Sequence, residues 1–204
     1  MRKVRRRWFV LVAFALGLIS SALADEPQFL SLFNGKTLEG WSQRSTDHFS
    51  VKNEVLFGDG GTGWLRSEKR YKNFEFRSEY RALKAGADSG VFFRASAEST
   101  ENAPNWPRTC YQLQISDAEN NLMIFGHATT VKFDRKADAL ESVSKRQGEW
   151  QALRLTVIGN RATVHLNDTL ITESDGITIE EGHLGIQGEN GQFEWRELKI
   201  RELP

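Results

Sequence analysis

Hydrophobic and polar residues alternate with period two through most of the chain beyond residue 30, the spacing that sends successive side chains to opposite faces of a β-strand. The cleanest run is Asn73 to Arg81, where Phe74, Phe76 and Tyr80 share one face and Glu75, Arg77, Glu79 and Arg81 the other. Tyr111-Gln-Leu-Gln-Ile-Ser-Asp117 sets Tyr111, Leu113 and Ile115 against Gln112, Gln114 and Ser116. A purely structural strand seldom carries two amides and a hydroxyl in a row on one face. Such a face meets solvent or lines a groove that binds something polar. Strands are also predicted at Gly90–Arg94, Trp150–Ile158, Arg161–Leu166, Thr169–Thr172, His183–Gln187 and Gln192–Glu202, with a hairpin from Phe49 to Phe57 turned at Lys52–Glu54. In the last strand Phe193 and Trp195 are odd-numbered, Leu198 and Ile200 even, which predicts a β-bulge near Arg196-Glu197. Glu98 to Arg108, with Pro104 and Pro107, reads as a surface loop. Asp134 to Gln147 has the composition for one or two helical turns. Roughly ten or more short strands with almost no helix make the predicted fold an all-β, antiparallel two-sheet sandwich.

The first residues stand apart from this pattern. Arg2, Lys3, Arg5, Arg6 and Arg7 form a basic start, Trp8 to Ile19 an apolar segment, and Ala22-Leu-Ala24 a small-x-small cleavage site, the layout of a secretory signal peptide. Residues 1–24 are therefore expected to be removed, leaving one exported domain from 25 to 204, periplasmic or extracellular. The apolar segment is short for a membrane span, so no integral membrane association is expected after cleavage. Removing five of the 27 basic residues leaves 22 against 27 acidic ones. A mildly acidic domain has no electrostatic case for nucleic acid. The lone Cys110 excludes an internal disulfide.

The ordered pieces Leu32-Phe-Asn-Gly-Lys-Thr-Leu-Glu-Gly-Trp41, Tyr71-Lys-Asn-Phe-Glu-Phe-Arg77, Asp88-Ser-Gly-Val-Phe-Phe-Arg94, Tyr111–Asp117, Gly182-His-Leu-Gly-Ile-Gln187 and Phe193–Ile200 together resemble the DUF1080, or 3-keto-disaccharide hydrolase, family. The resemblance implies a concanavalin A-like jelly roll and a bacterial secreted hydrolase for sugars oxidised at C3. It departs from the family pattern at Gln112, where the family has Glu, at Asp88, where it has Asn, and at Gly188–Gly191, which replaces an Asp-His-Gly.

A 3-keto-glycoside is cleaved by removing the proton that the ketone acidifies at C2, expelling the C1 substituent and adding water. The site needs a base, a polarising group and residues that orient the ring, not the two-carboxylate geometry of ordinary glycosidases. On this reading Asp117 is the expected base or cation ligand, Arg94 a fixed cation for the ketone oxygen, and Gln112 a third group at the scissile carbon. Gln114 and Gln187 are expected to hold sugar hydroxyls, since an amide both donates and accepts. Asp88, in a turn, is a substitute carboxylate or cation ligand. His127, beside Gly126 in a loop, is a base that titrates near neutrality, and Trp106, in the proline-flanked loop, is a stacking platform for a sugar ring. Each has a plainer alternative: turn residue, ion-pair partner, solvated sheet face or core aromatic. The histidines lack zinc spacing. Asp and backbone oxygens leave room for a divalent cation such as calcium, and no organic cofactor is implied. Gly58–Gly63 lacks the Lys and Ser/Thr of a phosphate loop. A non-catalytic carbohydrate-binding module on the same sandwich is the alternative function.

Overall fold

Alternation is realised as strands along much of residues 28–116 and 121–204, the parts of the chain that the computed structural model describes. The leader at 1–24 and Asp117 lie outside the described residues. In chain order the strands are β1 (Leu30–Ser31), β2 (Trp41–Arg44), β3 (Phe49–Lys52), β4 (Val55–Gly58), β5 (Gly63–Tyr71), β6 (Phe74–Ala82), β7 (Asp88–Ala95) and β8 (Cys110–Ser116). They continue with β9 (Ile124–His127), β10 (Asp134–Arg135), β11 (Gln151–Ile158), β12 (Arg161–Leu166), β13 (Thr169–Ser174), β14 (Gly182–Asn190) and β15 (Phe193–Glu202). One short helix, α1 (Ala137–Val143), buries only Leu140. No helix among the described residues is long and apolar enough to cross a membrane.

The strands form two antiparallel sheets, a jelly-roll sandwich. The larger runs β10-β13-β12-β11-β6-β15-β4-β3, with β1 also paired to β15; the smaller runs β2-β5-β14-β7-β8-β9. Between them lies the main core. Phe74, Phe76, Trp195 and Ile200 of the larger sheet meet Val91, Phe93, Tyr111, Leu113 and Ile115 of the smaller, all almost completely buried. Each such side chain contributes about 1.5–3 kcal/mol by leaving water, and truncating one, as in Leu113→Ala, costs about 2–5 kcal/mol. The β3–β4 hairpin turns at Asn53 and Glu54, both at positive φ, the two-residue turn whose twist suits paired strands. The expected bulge in β15 is present: register shifts between Arg196 and Lys199, and Glu197 has φ 54°.

Strands β5 and β9 are among those not apparent from alternation. In β5 the run Glu68-Lys-Arg70 is exposed, so no apolar face marks its outer half. The short β9 carries His127, which therefore lies on a strand and not in a loop. Its Gly126 is required by space, because a Cβ there would lie 2.4 Å from the Thr129 carbonyl oxygen. A second apolar cluster, Trp64, Phe92, Ala95 and Cys110 with Trp106 against it, sits apart from the main core. It belongs to the outward face of the smaller sheet, beneath the 96–109 connection, as satellite clusters under long loops do.

Candidate functional site

The outward face of the smaller sheet is built by register. Gln187 of β14, Gly90 of β7 and Gln114 of β8 are cross-strand partners in one row, and Phe92 and Gln112 are partners in the next. Cys110 is opposite His127. Tyr111, Leu113 and Ile115 point inward to the core as alternation requires, so Gln112 and Gln114 point outward. Gly90 makes room for them: a Cβ there would lie 2.9 Å from Gln187 Oε1 and 3.4 Å from Gln112 Cγ.

The amides do not meet bulk solvent. Gln112, Gln114 and Gln187 are each 5% exposed, and they bind one another. Gln112 Nε2 donates to Gln114 Oε1 at 2.5 Å and to Gln187 Oε1 at 3.0 Å. Gln114 Nε2 donates to Asp88, and Gln187 Nε2 donates to Glu189 at 2.6 Å. At the other end Gln112 Oε1 lies 2.7 Å from His127 Nε2. A satisfied buried network of this kind fixes its members in place, because a buried amide left unpaired costs about 1–3 kcal/mol.

The direction of the chain follows from its ends. Asp88 accepts from Gln114 Nε2 and Glu189 from Gln187 Nε2, which turns the nitrogens of both amides outward to the acids and their oxygens inward to Gln112. Both hydrogens of Gln112 Nε2 are then used, and its oxygen faces the imidazole as an acceptor. His127 must donate from Nε2. In the neutral ring that places the lone pair on Nδ1, to which no described residue donates a hydrogen bond. Burial holds the His127 pKa below the ordinary histidine range, which favours that neutral ring. Burial, and secondarily the nearby Asp88 carboxylate, raises the Glu189 pKa above the usual carboxylate range. The two ends are thus a depressed histidine and an elevated carboxyl group.

An aromatic cluster borders the chain. Phe92 makes edge contacts with Trp64 (5.6 Å between ring centroids) and His127 (5.9 Å), and a tilted contact with Trp106 (5.8 Å). Trp106 is half-buried in a loop closed at its base by Ser96 N–H donating to the Thr109 carbonyl. The loop is tied to the β2–β3 connection by Ser45 Oγ donating to the Pro104 carbonyl at 2.8 Å.

Gln112, Gln114, Gln187, Asp88, His127 and Trp106 are therefore gathered on one face. Arg94 is not. It is 2% exposed, and its guanidinium donates to the carbonyls of Lys72 (2.8 and 3.1 Å), Gly159 (2.8 Å) and Ile179 (2.6 Å). The reason is a bulge in β7. Gly185 pairs with Phe92 but His183 pairs with Ala95, and Arg94 is the extra residue, at φ 48°. Simple alternation placed Arg94 with Gly90 and Phe92; the bulge turns it inward to clamp three loops. Gln112 likewise has its polar atoms bonded within the chain, so it positions its neighbours. Asp117 lies outside the described residues. Glu189 was missed by sequence reasoning. A second register shift, between Gly188 and Asn190, adds it beside Gln187, and only the spacing of two from Gln187 hinted at it. Among the described residues no three His, Cys, Asp or Glu side chains converge to hold a metal ion.

The family model for the 3-keto-alpha-glucoside-1,2-lyase-like domain matches residues 28–201. The chain belongs to that family. It is a carbohydrate-active, glycosyl-hydrolase-like domain. Two crystal structures of candidate glycosyl hydrolases from Parabacteroides distasonis share its fold. One superposes with a TM-score of 0.67 at 23% identity, covering 86% of this chain and 100% of that one. The other has a TM-score of 0.66 at 19% identity, covering 86% and 94%. The carbohydrate-binding module CBM66 from Bacillus subtilis has a TM-score of 0.59 at 14% identity, covering 85% and 100%. No curated protein matches the chain.

Proposed function

We propose that this protein is an exported enzyme that cleaves 3-keto-glycosides by elimination and hydration, with His127 as the base and Glu189 as the acid. The orientation imposed on His127 by Gln112 carries this reading, because it leaves Nδ1 unprotonated in the neutral ring that burial favours. Nδ1 takes the proton from C2, and the electron pair is held as the enolate of the C3 ketone. The enolate then collapses: C1=C2 forms, the C1–oxygen bond breaks, and the departing oxygen takes the proton of the Glu189 carboxyl group. Water then adds its hydroxyl to C1 and gives its proton to the Glu189 carboxylate, while His127 returns its proton to C2, which gives the net hydrolysis and restores both groups. Gln114 and Gln187 each retain one Nε2 hydrogen that no described residue takes, and these are the donors offered to the sugar. A pair of positioned acid and base groups of this kind contributes about 10²–10⁴-fold each to rate.

The test is release of p-nitrophenol from p-nitrophenyl 3-keto-glucoside by the purified mature protein. Wild type should release it, and His127→Ala should not. Asp117→Asn, at the other candidate base, should retain most of the rate; loss of release there with retention in His127→Ala would move the base to Asp117. The alternative reading, a non-catalytic carbohydrate-binding domain, draws on the saturated bonding of the amides. It requires saturable sugar binding without any release.

A further inference from the structure

The outward face of the larger sheet carries a second polar feature, separate from the amide chain. Lys199, Arg77, Arg154 and His165 are successive cross-strand partners in one row across β15, β6, β11 and β12. Neighbouring strands lie about 4.8 Å apart, and like charges placed directly opposite repel. Most of the cations here have local cover. Arg77 binds Glu75 at 2.5 Å and lies over the Phe29 ring, Lys199 is 3.8 Å from Glu197, and the adjacent Arg196 binds Glu79 at 2.6 Å.

Arg154 is different. No described residue gives it a hydrogen bond or an ion pair, and its Nε is sealed from solvent without an acceptor. The same holds for His165 Nδ1, its partner across the strand pair. A buried polar atom without a partner costs about 1–3 kcal/mol, more when charged, so two in adjacent positions leave an unfilled place for a hydrogen-bonding ligand. Together with Arg77, Arg196, Lys199 and the small Ala152 they line a cleft of about 510 Å³. Its carboxylates are Glu79 and Glu197, already engaged by Arg196 and Lys199, and the exposed Asp168 beside His165.

We propose that this cleft is an oxyanion-binding site, with Arg154 as its central donor and His165 beside it. The guanidinium fork suits a group of two or three oxygens. The shared chemistry is a carboxylate, sulfate or phosphate group, supplied either by a free inorganic anion or by an acidic saccharide.

The experiment is titration of the mature protein with sodium sulfate, inorganic phosphate, glucuronate and glucose 6-sulfate, followed by calorimetry and by the His165 imidazole NMR resonance. Saturable binding that moves the His165 resonance, weakened about tenfold or more in Arg154→Gln, is expected. His165→Asn should weaken it as well, and neither variant should alter turnover of a 3-keto-glucoside. Tighter binding of glucuronate or glucose 6-sulfate than of the inorganic anions assigns an acidic saccharide; the reverse assigns a free anion. Absence of saturation, or wild-type affinity in a folded Arg154→Gln protein, overturns the site and leaves an adventitious ion only.

Discussion

Gln112 Oε1 lies 2.7 Å from His127 Nε2, and the two hydrogens of the same amide reach Gln114 and Gln187. One side chain therefore sets the tautomer of the histidine and ties it to two carboxylates. Gln112→Glu puts an acceptor where two donors are needed. Gln114 and Gln187 cannot compensate, because turning their amides would aim oxygen at Asp88 and Glu189. The variant should lose about 2–4 kcal/mol of stability in urea unfolding, from two orphaned buried acceptors. Its carboxylate should also raise the His127 pKa, read by NMR. An unchanged midpoint together with an unchanged His127 titration would show that the amides are oriented otherwise.

Acid should weaken the fold before it protonates the site. Burial lowers the folded-state pKa of His127, and also those of His165 and His183, whereas each titrates near 6.5 when unfolded. Between the two values the unfolded chain holds more protons than the folded one, so stability rises with pH there and is lost as pH falls below about 6.5. Glu189 acts oppositely: its raised pKa means the folded state holds the extra proton above about 4.5, the unperturbed value its shift is measured from, and that contribution is lost as pH rises through the folded pKa. Melting temperature should therefore fall from pH 7 to pH 5, and His127→Gln should flatten part of that slope. Catalysis should fail on the acid side with an apparent pKa below 6.5 that matches the titration of the His127 imidazole read by NMR.

Arg94→Met separates structure from chemistry. Three carbonyls from three loops lose a charged donor, and hydrogen bonds to charged groups contribute about 1.5–3 kcal/mol each. A loss of at least about 3 kcal/mol is expected. Release of p-nitrophenol per folded molecule, measured well below the melting temperature, should stay within about twofold of wild type, because no bond joins Arg94 to the amide chain. A selective fall in kcat without destabilisation would return Arg94 to the reaction.

The contrast between Gln112 and Arg94 shows how far alternation carries. Tyr111, Leu113 and Ile115 had to face the core because they are the large apolar residues of β8, and that one constraint placed Gln112 and Gln114 on the other face. The fold class followed from the same periodicity repeated along the chain. On β7 every residue from Gly90 to Ala95 is buried, so no polar and apolar contrast reveals the phase, and one extra residue reverses it. Bulges are set by the partner strand, here β14, whose two register shifts remove Arg94 from the face and add Glu189 to it. The cover over the face was equally hidden. A proline-flanked loop reads as surface, and its contact through Trp106 with Phe92 depends on where the chain returns.

Trp106 decides whether that cover serves the sugar. The ring is half-buried against Phe92 and belongs to a loop fastened at Ser45. An aromatic contact of this type contributes about 0.5–1.5 kcal/mol beyond area burial, so Trp106→Ala should destabilise the fold only slightly. If the exposed part of the ring stacks on substrate, KM for a 3-keto-glucoside should rise about fivefold or more, with Trp106→Phe recovering most of it. A roof that only shields the amides from water predicts something else. KM would stay constant while kcat falls, because water entering beside Gln112 competes for its bond to His127 and frees the ring to change tautomer. The split between KM and kcat in these two variants distinguishes a platform from a lid.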